Sequence, residues 1–489
     1  MKSVLIIGAG IGSLSAACYL AKAGCKVTIL EKNSWPGGRI QTLKKDGFTF
    51  DMGPSWYWMP DVFEQFFATF GHTPHDYYTL TRLDPSYRIF FTDEYIDLPP
   101  GQEAMCVLFE KYEQGAGQKL KNLLQKTEKV YQIAQKQFIH RSSAPLEMVS
   151  GKTLINGVEL LAQYNGFQSV HQFLTRFFRN EKLIKMLEFP IFFLGGSAHD
   201  IPAVYSIMNH VDIDQGTWYP HGGFGAVARG FERLACELGV DIHYGEEVDH
   251  IEADDKNITS VHSQNRRYHP SVVLSGADYP FTESLLPPSS RSYSPHYWDT
   301  RKLAPSALMI FLGISHSIPG LLHHSLFFHN DWVGHHQSLF KHPVWPTHPL
   351  YYVSTPTKTD KTLAPSGQEA ITILIPLASG LPDSLQSRED LAQWVLHDLE
   401  KKINQPIQPH IITRTLYSLN DFATDYHAFK GNAYGLAQTL DQTAIFRPNN
   451  RSKKLNNLFY TGQFTVPGIG VPMVVISGEI AARDIISHI

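Results

Sequence analysis

The 489-residue sequence has only four cysteines, Cys18, Cys25, Cys106 and Cys236, and no C-x-x-C pair. That scarcity argues against a disulfide framework or a thiolate metal site and suits a reducing cytosol. No charge of either sign dominates. With 42 basic against 46 acidic residues the formal net charge is -4, and no run of like charges makes a basic arm, so nucleic acid is not expected as a partner. Long apolar runs are missing as well: nothing approaches the ~20 residues of a membrane-spanning helix, and Val4 to Ile7 is too short for a signal-peptide core. Any membrane contact is therefore expected to be peripheral. No short repeat, low-complexity tract or evident linker divides the chain, although its length predicts more than one domain.

What is present begins at the first residues. Ser3 to Ile7 is apolar enough for a buried parallel strand and stops at Gly8. Leu14, Ala17, Cys18 and Ala21 then recur at helical spacing, Gly24 suits the C-terminal cap, and Val27 to Leu30 opens a second strand. In this βαβ unit Gly8, Gly10 and Gly12 stand between strand and helix, where bare backbone and a helix N-terminus can hold a pyrophosphate. Ser13 takes the third fingerprint position, small enough for tight helix–strand packing. Glu31 lies about 20 residues beyond the glycines, where a carboxylate can accept hydrogen bonds from ribose hydroxyls and would repel a 2′-phosphate. None of these residues separates NAD from FAD, which share an ADP half.

The same grammar returns twice. Val227, Phe231, Leu234, Ala235 and Leu238 form a helix face ended by Gly239, and Val240, Ile242 and Tyr244 alternate as a strand that ends at Val248. Near the C-terminus Leu458 to Thr461 reads as a strand, Gly462 follows it, and Gly468, Gly470 and Pro472 precede a helix. A helix start aimed at a flavin would favour the negative charge that two-electron reduction leaves there.

Glu31 followed by Pro36-Gly37-Gly38-Arg39 resembles the amine-oxidase-like FAD superfamily, in which the Arg contacts the cofactor. Gly462-Gln463 with Pro467-Gly468-Ile469-Gly470-Val471-Pro472-Met473 resembles the C-terminal signature of the carotenoid desaturases. Trp218 to Gly223 and Gly431 to Gly435 extend the resemblance to bacterial-type phytoene desaturases over essentially the whole chain. The resemblance implies FAD as cofactor. It places Gly8, Gly10, Gly12, Ser13, Glu31, Gly38 and Arg39 at the nucleotide, and Gly53, Pro54 and Ser55 beside the flavin ring. Val248 would face adenine, while Gly462, Gly470, Val471 and Met473 would line the flavin. The implied reaction removes hydrogen pairs from 15-cis-phytoene toward lycopene; the alternatives are a desaturase or isomerase of another carotenoid (diapophytoene, a hydroxycarotenoid) and an isoprenoid-binding relative without chemistry. No His, Asp or Glu occupies a position that identifies a proton acceptor, so catalytic residues are unassigned.

The implied fold class is α/β. A Rossmann-like FAD-binding domain is assembled from 1–85, 216–285 and 421–489; a helical region at 86–215 associates with substrate and with a membrane; and 286–420 supplies the sheet of a mixed α+β substrate domain. Phe63, Phe66, Phe67 and Phe70 lie at helical spacing beside Trp56, Tyr57 and Trp58, and the resemblance favours a substrate-channel wall over ordinary core. Phe173 to Phe193, with Arg176, Arg179, Lys182 and Lys185, reads equally as an interfacial helix or an internal one. His323, His324, His329, His335, His336, His342 and His348 crowd together, but without a helix face, cysteines or a carboxylate motif they do not read as a metal site.

Overall fold

A computed structural model describes residues 2–141, 168–264 and 266–489. Part of the expected helical region, 142–167, lies outside the described residues.

The Ser3–Ile7 strand is buried on both faces, as its unbroken apolar run requires. It sits at the centre of a five-stranded sheet in the order Leu458–Tyr460, Val272–Ser275, Ser3–Ile7, Lys26–Glu31, Asp241–Tyr244, with every pairing parallel. Three distant stretches of sequence thus make one Rossmann-like layer. The helices Ile11–Lys22 and Val471–His488 pack closely: Ser15 Oγ donates to the Val475 carbonyl at 2.8 Å, and a Cβ added at Gly478 would lie 2.4 Å from the Gly12 carbonyl oxygen. Small residues on both helices allow that approach.

A second, seven-stranded sheet has the order Ile411–Tyr417, Ser306–Ile314, Glu369–Leu377, Tyr351–Ser354, His324–Phe327, Tyr87–Phe90, Tyr95–Leu98. Its pairings are antiparallel except for His324–Phe327 against Tyr87–Phe90. The helical reading from residue 86 therefore needs correction. Tyr87, Ile89 and Phe90, with Ile96 and Leu98, are buried strand residues, and helix begins only at Gln102–Tyr112. Val248 also moves: it does not end the middle strand but starts the antiparallel strand Val248–Ala253, after a turn that follows Tyr244.

The helix Pro60–Thr69 buries Val62, Phe63, Phe66 and Phe67. Its aromatic face meets the helix Phe224–Glu237, where the rings of Phe66 and Phe231 stack at 4.3 Å. These phenylalanines are core, not channel wall; periodicity marks a buried face without naming what covers it. Phe173 to Phe193 is not one helix of either kind. It divides into Val170–Leu174, Glu181–Glu188 and a 3-10 turn Phe189–Leu194, where Pro190 lacks the amide to continue the α-helix. Its Lys182 pairs with Asp93 at 2.6 Å, and Lys185 lies over the Trp332 ring. No helix among the described residues is long and apolar enough to cross a membrane.

Candidate active site

A cleft of about 220 Å³ opens at the carboxyl ends of the parallel strands. Gly8 leaves the first strand with φ +86°, a left-handed conformation that glycine adopts without strain, and the next helix begins at Ile11. Gly37 pairs with Gly10, its amide donating to the Ala9 carbonyl at 2.8 Å, and a Cβ on Gly38 would come to 3.4 Å from Gly10 Cα. Two glycine turns therefore press together at the helix start. Ser13 is wholly buried, and a Cβ on Gly276 would fall 1.9 Å from its Oγ, so its small side chain is what the helix–strand packing tolerates.

Glu31 is 5 % exposed; its carboxylate accepts from the Ala9 amide at 2.6 Å and the Asn33 amide at 2.8 Å. Burial raises its pKa and these amides oppose the rise. Arg39 reaches across to Asp278 at 3.4 Å and stands 5.2 Å from the Tyr426 ring centroid, while its Nε is buried without a partner. Burial pushes Asp278 up to about 6, against the pull of Arg39. Asp278 was not foreseen, although the strand Val272–Ser275 followed by Gly276-Ala277-Asp278 repeats the strand-to-glycine signal of the N-terminus.

The C-terminal end closes the opposite wall. Gly462 has φ +114° and Gly470 φ +104°, and apart from the adjoining residues no described atom lies within 4 Å of a Cβ built on either, so both present open backbone to the cleft. Val471 and Val474 share a helix face that lines it. Met473 falls off that face; its side chain packs against the core and lines neither cavity. Behind the loop, Arg447 is 2 % exposed and donates to the carbonyls of Leu436, Gln463 and Thr465 and to Gln438 Oε1. Burial lowers its pKa to about 10.

Gly8, Gly10, Gly12, Ser13, Glu31, Gly38, Arg39, Gly53, Pro54, Val248, Gly462, Gly470 and Val471 all line this single cleft. Ser55 lines a second cavity instead, of about 430 Å³, in the range typical of ligand sites. Its walls are mostly apolar and aromatic, including Trp56, Phe189, Phe193, Leu326 and Phe328. Gly53, Pro54, Leu374 and Tyr434 line both spaces, which therefore meet there. Of the histidines, His323 and His324 are buried and aromatic-packed, His329 pairs with Asp398 at 2.9 Å, and His335 accepts from the Leu350 amide. Among the described residues no group of three or more His, Cys, Asp or Glu is placed to hold a metal.

A dinucleotide cleft built from both ends of the chain and opening onto an apolar cavity is the architecture of a flavin-dependent oxidoreductase. The sequence matches the family of flavin containing amine oxidoreductases over residues 14–278 and 337–486, and the chain belongs to that family. It is an FAD-dependent oxidoreductase, and within the family it is of the carotenoid-desaturase type. It is 42 % identical to a carotenoid 3,4-desaturase of Haloarcula japonica, over 100 % of this chain and 99 % of the relative. It is 32 % identical to a zeta-carotene-forming phytoene desaturase of Myxococcus xanthus, covering 99 % and 94 %. A 4,4'-diapophytoene desaturase of Staphylococcus aureus is also 32 % identical, covering 99 % of each. Among solved structures, an oxidoreductase from Methanosarcina mazei shares the fold with a TM-score of 0.65 at 16 % identity, over 98 % of this chain and 99 % of that one.

Proposed function

We propose that the protein desaturates a carotenoid that carries a polar end group, in preference to phytoene. The supporting observation is the second cavity: an apolar space that meets the nucleotide cleft at Gly53 and Pro54, yet carries Glu188, Ser197, His199 and His336, none of which lines the cleft. Glu188 is held by His171 at 2.6 Å, and the His171 and His199 rings lie 4.0 Å apart. These groups already have protein partners, but a wholly hydrocarbon ligand would press carbon against their polar atoms, whereas a hydroxyl adds a hydrogen bond to them. The rest of the chain would be gripped by apolar burial, at about 25 cal/mol per Å² removed from water. The 42 % identity to a carotenoid 3,4-desaturase supports a carotenoid other than phytoene as substrate, over the phytoene reading that the motifs first suggest.

In this proposal Gly8, Gly10, Gly12 and the following helix start take the pyrophosphate, Gly38 and Arg39 flank it, and Glu31 accepts from the ribose. The Val248 backbone faces adenine, and Gly462, Gly470 and Val471 approach the flavin, with Gly53 and Pro54 between flavin and substrate. The open backbone at Gly462 and Gly470 and the unpartnered Arg39 Nε fit such a group. When bound, FAD supplies the two-electron acceptor. The protein's own residues orient the polyene and exclude water. Val333 lines the substrate cavity and is 64 % exposed, which puts the cavity mouth at the surface and supports substrate entry from a membrane to which the protein binds peripherally.

Expression in cells that accumulate phytoene, lycopene or a mono-hydroxylated lycopene tests the substrate. The expected result is a redder pigment, lighter by two hydrogens, from the hydroxylated carotenoid alone. Conversion of phytoene with the hydroxylated carotenoid untouched would reverse the assignment.

A further inference from the structure

Removing a hydrogen pair as hydride and proton needs a proton acceptor at the point where the two cavities meet. Tyr352 lines the substrate cavity next to that junction. Its cross-strand partner Leu374 lines both cavities, and so does Pro54, the neighbour of Ser55. The Tyr352 hydroxyl is 2.7 Å from Ser55 Oγ and 2.6 Å from His324 Nδ1. His324 is wholly buried and stacks on Trp56 at 4.0 Å between ring centroids; its Nε2 has no partner. A fixed, desolvated imidazole thus waits behind a phenol that lines the substrate cavity.

Of the other titratable groups on the cavity wall, His199 lies against the His171 ring and His336 faces Asp200, and neither lines the nucleotide cleft. His335 is occupied at both nitrogens by the Leu350 amide and the Pro376 carbonyl, Tyr351 donates to Asp398, and Glu188 is held by His171. Tyr434 shares the junction but has no hydrogen-bonded base among the described residues.

We propose that Tyr352 is the catalytic proton acceptor of the desaturation, passing its own phenolic proton to His324 Nδ1 as it takes one from the carotenoid. One C–H bond breaks with its electron pair leaving as hydride to the oxidised flavin. The neighbouring C–H bond breaks with its pair remaining to form the new double bond. Its proton bonds to the Tyr352 oxygen while the original phenolic proton moves to the imidazole, so the substrate loses two electrons and two hydrogens. Burial keeps the resting imidazole neutral, with His323 beside it acting in the same direction, so a lone pair is available at every working pH. Once product has left, the imidazolium returns its proton to the Tyr352 oxygen, and the proton that oxygen took from the carotenoid leaves through the emptied cavity toward its mouth at Val333.

This rests on the carotenoid-desaturase reading, and one experiment separates the two. The FAD-loaded protein is mixed anaerobically with mono-hydroxylated lycopene and, in parallel, with phytoene, in H2O and in D2O, and flavin bleaching is followed in a single turnover. Flavin content and the absorption shift of bound carotenoid are measured without turnover. The wild type is expected to bleach with a solvent isotope effect. Tyr352→Phe is expected to keep flavin and carotenoid at wild-type levels, to bleach at least about 100-fold more slowly and to lose the isotope effect. His324→Gln should slow bleaching and shrink the isotope effect. Bleaching by Tyr352→Phe within about threefold of wild type, or a wild-type rate equal in H2O and D2O, overturns the relay alone. Bound carotenoid with no bleaching in the wild type overturns the desaturase reading and the relay with it.

Discussion

Gly53→Ala is expected to purify colourless, with flavin per protein at least about tenfold below wild type. A Cβ at this position would lie 2.2 Å from the carbonyl oxygen of Arg39, and that oxygen belongs to backbone that cannot swing aside as a side chain would. Relieving the clash moves either the segment carrying Arg39 or the Gly53-Pro54 segment that lines both cavities. Forced overpacking of this kind costs about 1–3 kcal/mol, and each 1.4 kcal/mol of lost binding is about a tenfold loss of affinity. The ratio of flavin to protein absorbance after gel filtration reads the effect directly, and circular dichroism shows whether the fold is kept. A folded Gly53→Ala protein with its full complement of flavin would mean that these two segments do not form the cofactor wall.

The second large effect should leave flavin in place and abolish its reduction by substrate. Leu326 is 2 % exposed, lines the apolar cavity but not the nucleotide cleft, and stands opposite Tyr352 across the strand pair. Leu326→Trp would put an indole where the polyene must pass. Misplacing reacting atoms by about 1 Å can cost about 100-fold, so single-turnover bleaching should slow by at least that factor. Comparison of flavin content with bleaching rate in the same preparation checks it. A yellow Leu326→Trp protein that reacts at the wild-type rate would show that substrate does not use this cavity.

The features legible in the sequence are those that depend on local backbone. Gly8, Gly10 and Gly12 are readable because a strand must turn into a helix within a few residues, and Glu31 because it closes the next strand. Gly462 and Gly470 are readable for the same reason, each with positive φ beside a strand or helix end. What depends on long-range pairing is not readable. Tyr352 reaches the substrate cavity beside Leu374 only because its strand pairs with Glu369–Leu377 on one side and His324–Phe327 on the other, and no local pattern announces that register. Tyr87–Phe90 joins the same sheet beside His324–Phe327, more than two hundred residues away, which is why the region from residue 86 read as helical. The phenylalanines at 63, 66 and 67 show the converse, since their spacing reports burial equally well for a core and for a channel. Met473 belongs to a matching signature, yet the helix turn carries its side chain off the face that Val471 and Val474 present.

In the proposed function the apolar cavity delivers a carotenoid to a flavin held between the two ends of the chain. Anaerobic mixing of the yellow protein with mono-hydroxylated lycopene tests it most directly. Loss of oxidised-flavin absorbance, matched one for one by a new conjugated double bond in the extracted pigment, is the predicted outcome; carotenoid bound in the cavity beside flavin that stays oxidised would contradict it.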